Sequence, residues 1–109
     1  MAHTVITHAQ EPAVRWVDAL GTVALRSSIL GVRLTPATTY WLDFSTLKPH
    51  EALDLIDRII SVDDSIPIVC MVPFPKDEEA FALLARGARG YCHVAAAASQ
   101  LRLVANTVS

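Results

Sequence analysis

In the stretch "TTYWLDFSTLKP", Thr38 to Pro49, a single carboxylate, Asp43, stands where an apolar run gives way to a polar loop. It is the chain's first candidate for a working acid. Glu11 in "HAQEP" is a second carboxylate, set beside Pro12, where a first-turn acid is favoured by the helix dipole. His8 and His93 are of the side-chain type that serves as pH switch and metal ligand, so together they would make a pH-sensitive or metal-binding pair, although a third ligand is lacking. Cys70 in "IVCMV" and Cys92 in "GYCHV" sit in short apolar runs without CxxC spacing. That context favours buried, reduced thiols over metal ligands. The chain has no glycine-rich phosphate loop, nucleophile elbow or metal-ligand cluster.

Positioning these groups falls to short β-branched segments that alternate with segments of helical period, the mark of a parallel sheet covered by helices. The first strand is expected over Thr4 to His8. A helix follows from about Pro12 to Leu20, with Val14, Val17 and Leu20 on its buried face and Gly21 just past its end. Thr22 to Arg26 reads as the second strand. Only "SSILGVRLTPA" separates it from the third, so an abbreviated helix is expected near Ser28 to Leu34, weakened by Gly31 and stopped by Pro36. The third strand spans Thr38 to Phe44. The next helix runs from about Pro49 to Ile60, burying Leu53, Ile56, Ile59 and Ile60.

"IPIVCMV", Ile66 to Val72, has the near-continuous apolar character of a central parallel strand buried on both faces. "EEAFALLAR" is an acidic-first helix ending at Gly87, and "GYCHV" is a fifth strand. Leu101, Val104 and Val108 mark a last amphipathic helix from about Ala95. Five such units, (βα)5, point to one α/β domain over residues 1–109: a flavodoxin-like three-layer sandwich with parallel strand order 2-1-3-4-5. Ligands and chemistry in such sheets lie beyond the carboxyl ends of the strands, which directs attention to His8 to Glu11, Asp43 to Lys48, Val72 to Lys76 and His93 to Ala95.

The totals agree with this reading. A chain of 109 residues that is 52% hydrophobic can bury a substantial core without a metal or disulfide. Nine basic residues against 11 acidic ones give a net charge of −2, with no basic stretch. Direct nucleic-acid contact by this domain is therefore not expected. No apolar run approaches a membrane span, and the N-terminus lacks the pattern of a signal peptide, so the cytoplasm is the expected location.

From Tyr40 onward, "YWLDFSTLKP", "DSIPIVCMV", "DEEAFALLARGARGYCHV" and "SQLRLVANTV" resemble the receiver domains of bacterial two-component response regulators, especially those of NarL/LuxR-type transcription factors. "ARGARGY" is the most specific element, and the likeness is weakest over residues 22–37. The resemblance places Asp43 at the phosphoacceptor position. An acidic pair that holds Mg²⁺ should follow the first strand, but alignment on Pro12 puts Ala9 and Gln10 there. A Ser or Thr should end the fourth strand, where Val72 stands, and a Lys should end the fifth, where Val94 stands. Tyr91 falls near the place of the aromatic switch residue.

Phosphoryl transfer needs a hard cation and fixed donors to hold the charge gathered on the transferred group. The resemblance therefore implies a degenerate, phosphorylation-independent pseudo-receiver, with no enzymatic activity and no cofactor, acting by dimerisation or docking. Two alternatives stay open: a conventional receiver in which Asp43 and Glu11 hold Mg²⁺ weakly, and a small-molecule-sensing pseudo-receiver. A homodimer face with Arg102 and Leu103 as contacts is expected. So is a helix-turn-helix domain following Ser109 in a longer regulator.

Overall fold

A computed structural model describes residues 2–108. Five strands, β1 (Ala2–Ile6), β2 (Val23–Arg26), β3 (Thr38–Asp43), β4 (Ile68–Val72) and β5 (Gly90–His93), form one all-parallel sheet in the order β2-β1-β3-β4-β5. Four helices accompany them: α1 (Val14–Leu20), α2 (Pro49–Val62), α3 (Asp77–Arg86) and α4 (Ala98–Val108). This is a flavodoxin-like architecture. No described helix is long and apolar enough to cross a membrane.

The two central strands explain the layering. Every residue of β4, and every residue of β3 after Thr38, is buried. Because side chains alternate across a strand, both faces of the sheet must be covered. On one face Tyr40, Leu42, Ile68 and Cys70 pack against Ala52, Ile56 and Ile59 of α2 and Leu83 of α3. On the other, Val5, Trp41, Val69, Met71 and Cys92 pack against Trp16 of α1 and Leu101, Ala105 and Val108 of α4.

Two expectations about helices are corrected. No helix forms between β2 and β3. The chain there is irregular, with a turn closed by the Val32 N–H on the Ile29 carbonyl (3.0 Å) and Gly31 at φ 74°. Pro36 and a left-handed glycine leave too few residues for a stable helical nucleus. Ile29, Val32 and Leu34 still lie against the core, so this strap supplies the apolar cover a helix would have given. The second correction concerns α1, whose buried residue is Trp16, while Val14 is 75% and Val17 43% exposed. One indole supplies more apolar area than the expected valine stripe, and the helix is rotated to bury it.

At the other end of the sheet, two glycines permit close packing. Gly87 ends α3 at φ 126°, and a Cβ there would meet Ile60 Cγ1 at 2.9 Å. A Cβ on Gly90 would stand 3.2 Å from Val104, Val108 and Val69, so glycine lets α4 settle on β5.

Candidate functional site

The register pairs Ile6 with Leu42 and Leu42 with Cys70, which brings the ends of β1, β3 and β4 level. Asp43, the last residue of β3, is only 2% exposed. A buried carboxylate is costly unless its oxygens are hydrogen-bonded, and here both are. Oδ1 accepts from the Ser45 N–H at 3.0 Å and from the Ser45 hydroxyl at 2.5 Å. Oδ2 accepts from the Thr7 hydroxyl at 2.8 Å.

The donors are themselves ordered. Thr7 Oγ1 lies 3.0 Å from Thr46 Oγ1 and accepts from the Ala9 N–H at 3.0 Å, while Thr46 Oγ1 accepts from the His8 N–H at 2.9 Å. With the Thr7 proton committed to Asp43, Thr46 is the donor between the two hydroxyls. The chain of donation then runs from His8 N–H through Thr46 and Thr7 to the carboxylate. It ties the β1–α1 loop, the β3–α2 loop and the sheet end into one polar knot.

Thr7, Ser45 and Thr46 were not singled out from sequence. Ser45 had a readable signal, since Asp followed two residues later by Ser is a local Asx-type turn. Thr7 had none, because its role depends on strand register. Alignment on Pro12 pointed to Ala9 and Gln10 as the residues opposite Asp43, yet both are exposed, and the β1-side group that touches the carboxylate is Thr7.

Val72 is buried at the end of β4 and lines a notch of about 180 Å³ with Phe44, Pro73 and Phe74, bordered by Lys76 and Glu79. Val94 is held by its backbone: its N–H donates to the Val72 carbonyl at 2.8 Å, and its own carbonyl accepts from Arg15 Nε at 2.9 Å. Neither side chain offers a polar atom. Tyr91 donates its hydroxyl proton to Glu79 Oε1 at 2.6 Å and accepts from the Lys76 N–H at 2.9 Å. It thereby pins the start of α3 to β5. Burial, and then the Glu79 carboxylate, push its phenol above the ordinary tyrosine range.

Glu11 is exposed, and Asp43's recorded partners are all neutral. Glu51 is engaged elsewhere, accepting from the Lys48 N–H at 2.9 Å and pairing with the His8 ring at 3.1 Å. Among the described residues no group of three or more His, Cys, Asp and Glu side chains is arranged to hold a metal ion. Mg²⁺ calls for several oxygen ligands in near-octahedral order, with carboxylates among them. The residues around Asp43 do not fit that ion.

The two histidines are not a pair. His8 follows β1 and His93 ends β5, with β3 and β4 between, so their strands are roughly 14 Å apart at the usual inter-strand spacing. His93 instead accepts from the Ala95 N–H at 2.8 Å. The cysteines occupy neighbouring strands but opposite faces, Cys70 in the α2–α3 core and Cys92 in the α1–α4 core. Burial pushes their thiols up to about 12 and about 11 respectively, which keeps them protonated and unreactive.

No family model, curated protein or solved structure matches this chain.

Proposed function

We propose that the chain is a degenerate receiver domain that signals by protein contact without a phosphorylation cycle. The observation that carries this reading is the polar knot at Asp43. The carboxylate stands at the carboxyl end of the central strand, where a receiver would accept a phosphoryl group, but Thr7 and Ser45 occupy both its oxygens. Val72 and Val94 put no hydroxyl or ammonium at the ends of β4 and β5. A covalent phosphate at this buried position would break the bonds that order two loops.

In this reading the contact surface is the face made by α3, β5 and α4. It carries Phe81 (73% exposed) and Leu84 on α3, and Leu103 (65% exposed) and Arg102 on α4. Exposed apolar side chains flanking the β5 edge of the sheet favour association with a partner. The partner is a second copy of the chain, and the domain belongs to a longer cytoplasmic transcription regulator whose helix-turn-helix part makes the DNA contact.

Thermal melting and sedimentation velocity, each run with and without Mg²⁺ and acetyl phosphate, test this. The melting temperature and sedimentation coefficient stay unchanged on addition. A rise in either that disappears in Asp43→Asn would mean that the switch still works, and the proposal would fall.

A further inference from the structure

Two shallow clefts adjoin at the carboxyl ends of β1 and β2, on the side of the sheet where no helix covers the connection to β3. The first, about 290 Å³, lies between the loop at 7–10 and Leu25, Arg26 and Ser27. The second, about 270 Å³, runs from Ser27 and Ser28 along one side of α2, past His50, Asp54 and Arg58. Ser27 lines both, and the His8–Glu51 pair reaches from one to the other, so the two clefts adjoin as a trough. A full-length helix after β2 would have its first turn here, and the irregular strap leaves the space open.

The two halves differ in chemistry. No carboxylate lines the first cleft, where the Arg26 guanidinium and the Gln10 backbone N–H stand beside His8, whose ring is already paired with Glu51 at 3.1 Å. Neither the guanidinium nor that N–H makes a hydrogen bond or ion pair within the described residues. Such a set of donors suits a compact anion, and a guanidinium binds phosphate oxygens in a bidentate fork. The second cleft mixes donors and acceptors. Its Asp54 carboxylate has no hydrogen-bond partner among the described residues, and Ser28, His50 and Arg58 stand near it. Glu51, which pairs with His8, lines this cleft too; a second anionic group would be repelled by the two carboxylates, whereas sugar hydroxyls would donate to Asp54.

We infer that this trough binds a small phosphate monoester bearing several hydroxyl groups, of the sugar-phosphate or nucleoside-monophosphate class. The phosphate sits in the first cleft on Arg26 and the hydroxylated part lies over Ser27 toward Asp54. The site adjoins the switch point between β1 and β3, the crevice where open α/β sheets generally take ligands. It is separate from the Asp43 knot, although the loop at 7–10 is common to both. The inference uses only the residues of the trough, so it stands or falls independently of the receiver reading.

The test is a backbone NMR titration of the chain with ribose 5-phosphate and with AMP, beside ribose and inorganic phosphate. For at least one phosphate ester, saturable shifts are expected at residues 7–10, 25–28 and 50–58, with an affinity tighter than that of inorganic phosphate. Arg26→Gln weakens binding about tenfold or more, as loss of a charge-assisted fork should, while its spectrum stays folded. Asp54→Asn weakens the ester but leaves inorganic phosphate unchanged. The inference is overturned if no ester saturates, if the shifts fall elsewhere, if Arg26→Gln binds like the wild type, or if inorganic phosphate binds as tightly as the esters.

Discussion

Among single residues, the proposed reading makes Asp43 and its neighbours structural. Removing the Thr7 donor with Thr7→Val leaves a buried carboxylate oxygen short of its main partner, which costs about 1–3 kcal/mol. Asp43→Asn costs a similar amount, because an amide presents donors where Ser45 and Thr7 already donate. The two changes disrupt one network, so the double variant loses less than the sum, a coupling that urea denaturation of the four proteins measures.

A second residue-scale prediction concerns pH. The Trp41 indole donates to His3 Nδ1 at 3.1 Å, which requires that nitrogen to be unprotonated, and burial holds the His3 pKa below its ordinary value. The folded state therefore favours neutral His3. This contribution is complete above the ordinary histidine pKa of about 6.5, and it is lost as pH falls below that value, where the unfolded chain takes up a proton that the folded chain resists. The melting temperature should thus decline between about pH 7 and pH 5. His3→Gln flattens that decline. Glu51, Asp57 and Asp63 have carboxyls held below their ordinary values by hydrogen bonds, so their contributions fade only in more acid solution.

Much of this scale was hidden from a reading of sequence. Asp43 was visible as a lone carboxylate after an apolar run, and Cys70 and Cys92 were visible as buried thiols. Thr7 was not, because a threonine near a strand end is ordinary until register sets it against Asp43. Trp41 and His3 meet for the same reason, across paired strands whose sequence separation gives no local sign.

At the scale of elements, α3 is held by its two ends more than by its face. Leu83 is its one buried residue among the described positions, while Tyr91 ties its start and Gly87 fixes its stop. The Arg86 guanidinium also forks onto Asp57 of α2 at 2.9 Å, but both groups are half exposed, so that pair contributes little. Gly87→Ala should therefore be costly, since it meets both a disfavoured φ and the Ile60 side chain. A loss of about 1–3 kcal/mol is expected by urea denaturation, with the slope unchanged.

The strands and the long helices were legible because buried parallel strands and amphipathic helices carry strong periodic signals. α2 runs from Pro49 as expected and ends two residues beyond the expected Ile60. The connection at 27–37 was not legible. Its apolar residues Ile29, Val32 and Leu34 have a spacing compatible with helix, and only the tertiary surroundings show them covering the sheet as an irregular strap. The face of α1 was misassigned because a single tryptophan outweighed a valine stripe.

At the scale of the molecule, strand order 2-1-3-4-5 followed from the alternation of elements and was visible in sequence before any contact was known. What the surface does was far less visible, since exposure depends on how every helix is rotated. For the dimer proposed above, Phe81→Glu combined with Leu103→Glu is expected to give a folded monomer in sedimentation equilibrium, with the melting curve little altered.

The central claim is that the Asp43 carboxylate has become a structural acceptor. Intact-mass spectrometry after incubation with acetyl phosphate and Mg²⁺, beside an ordinary receiver and Asp43→Asn, tests it most directly. The account predicts no adduct on this chain under conditions that label the ordinary receiver. A stoichiometric gain of about 80 Da, absent from Asp43→Asn, would contradict it and restore Asp43 as a phosphoacceptor.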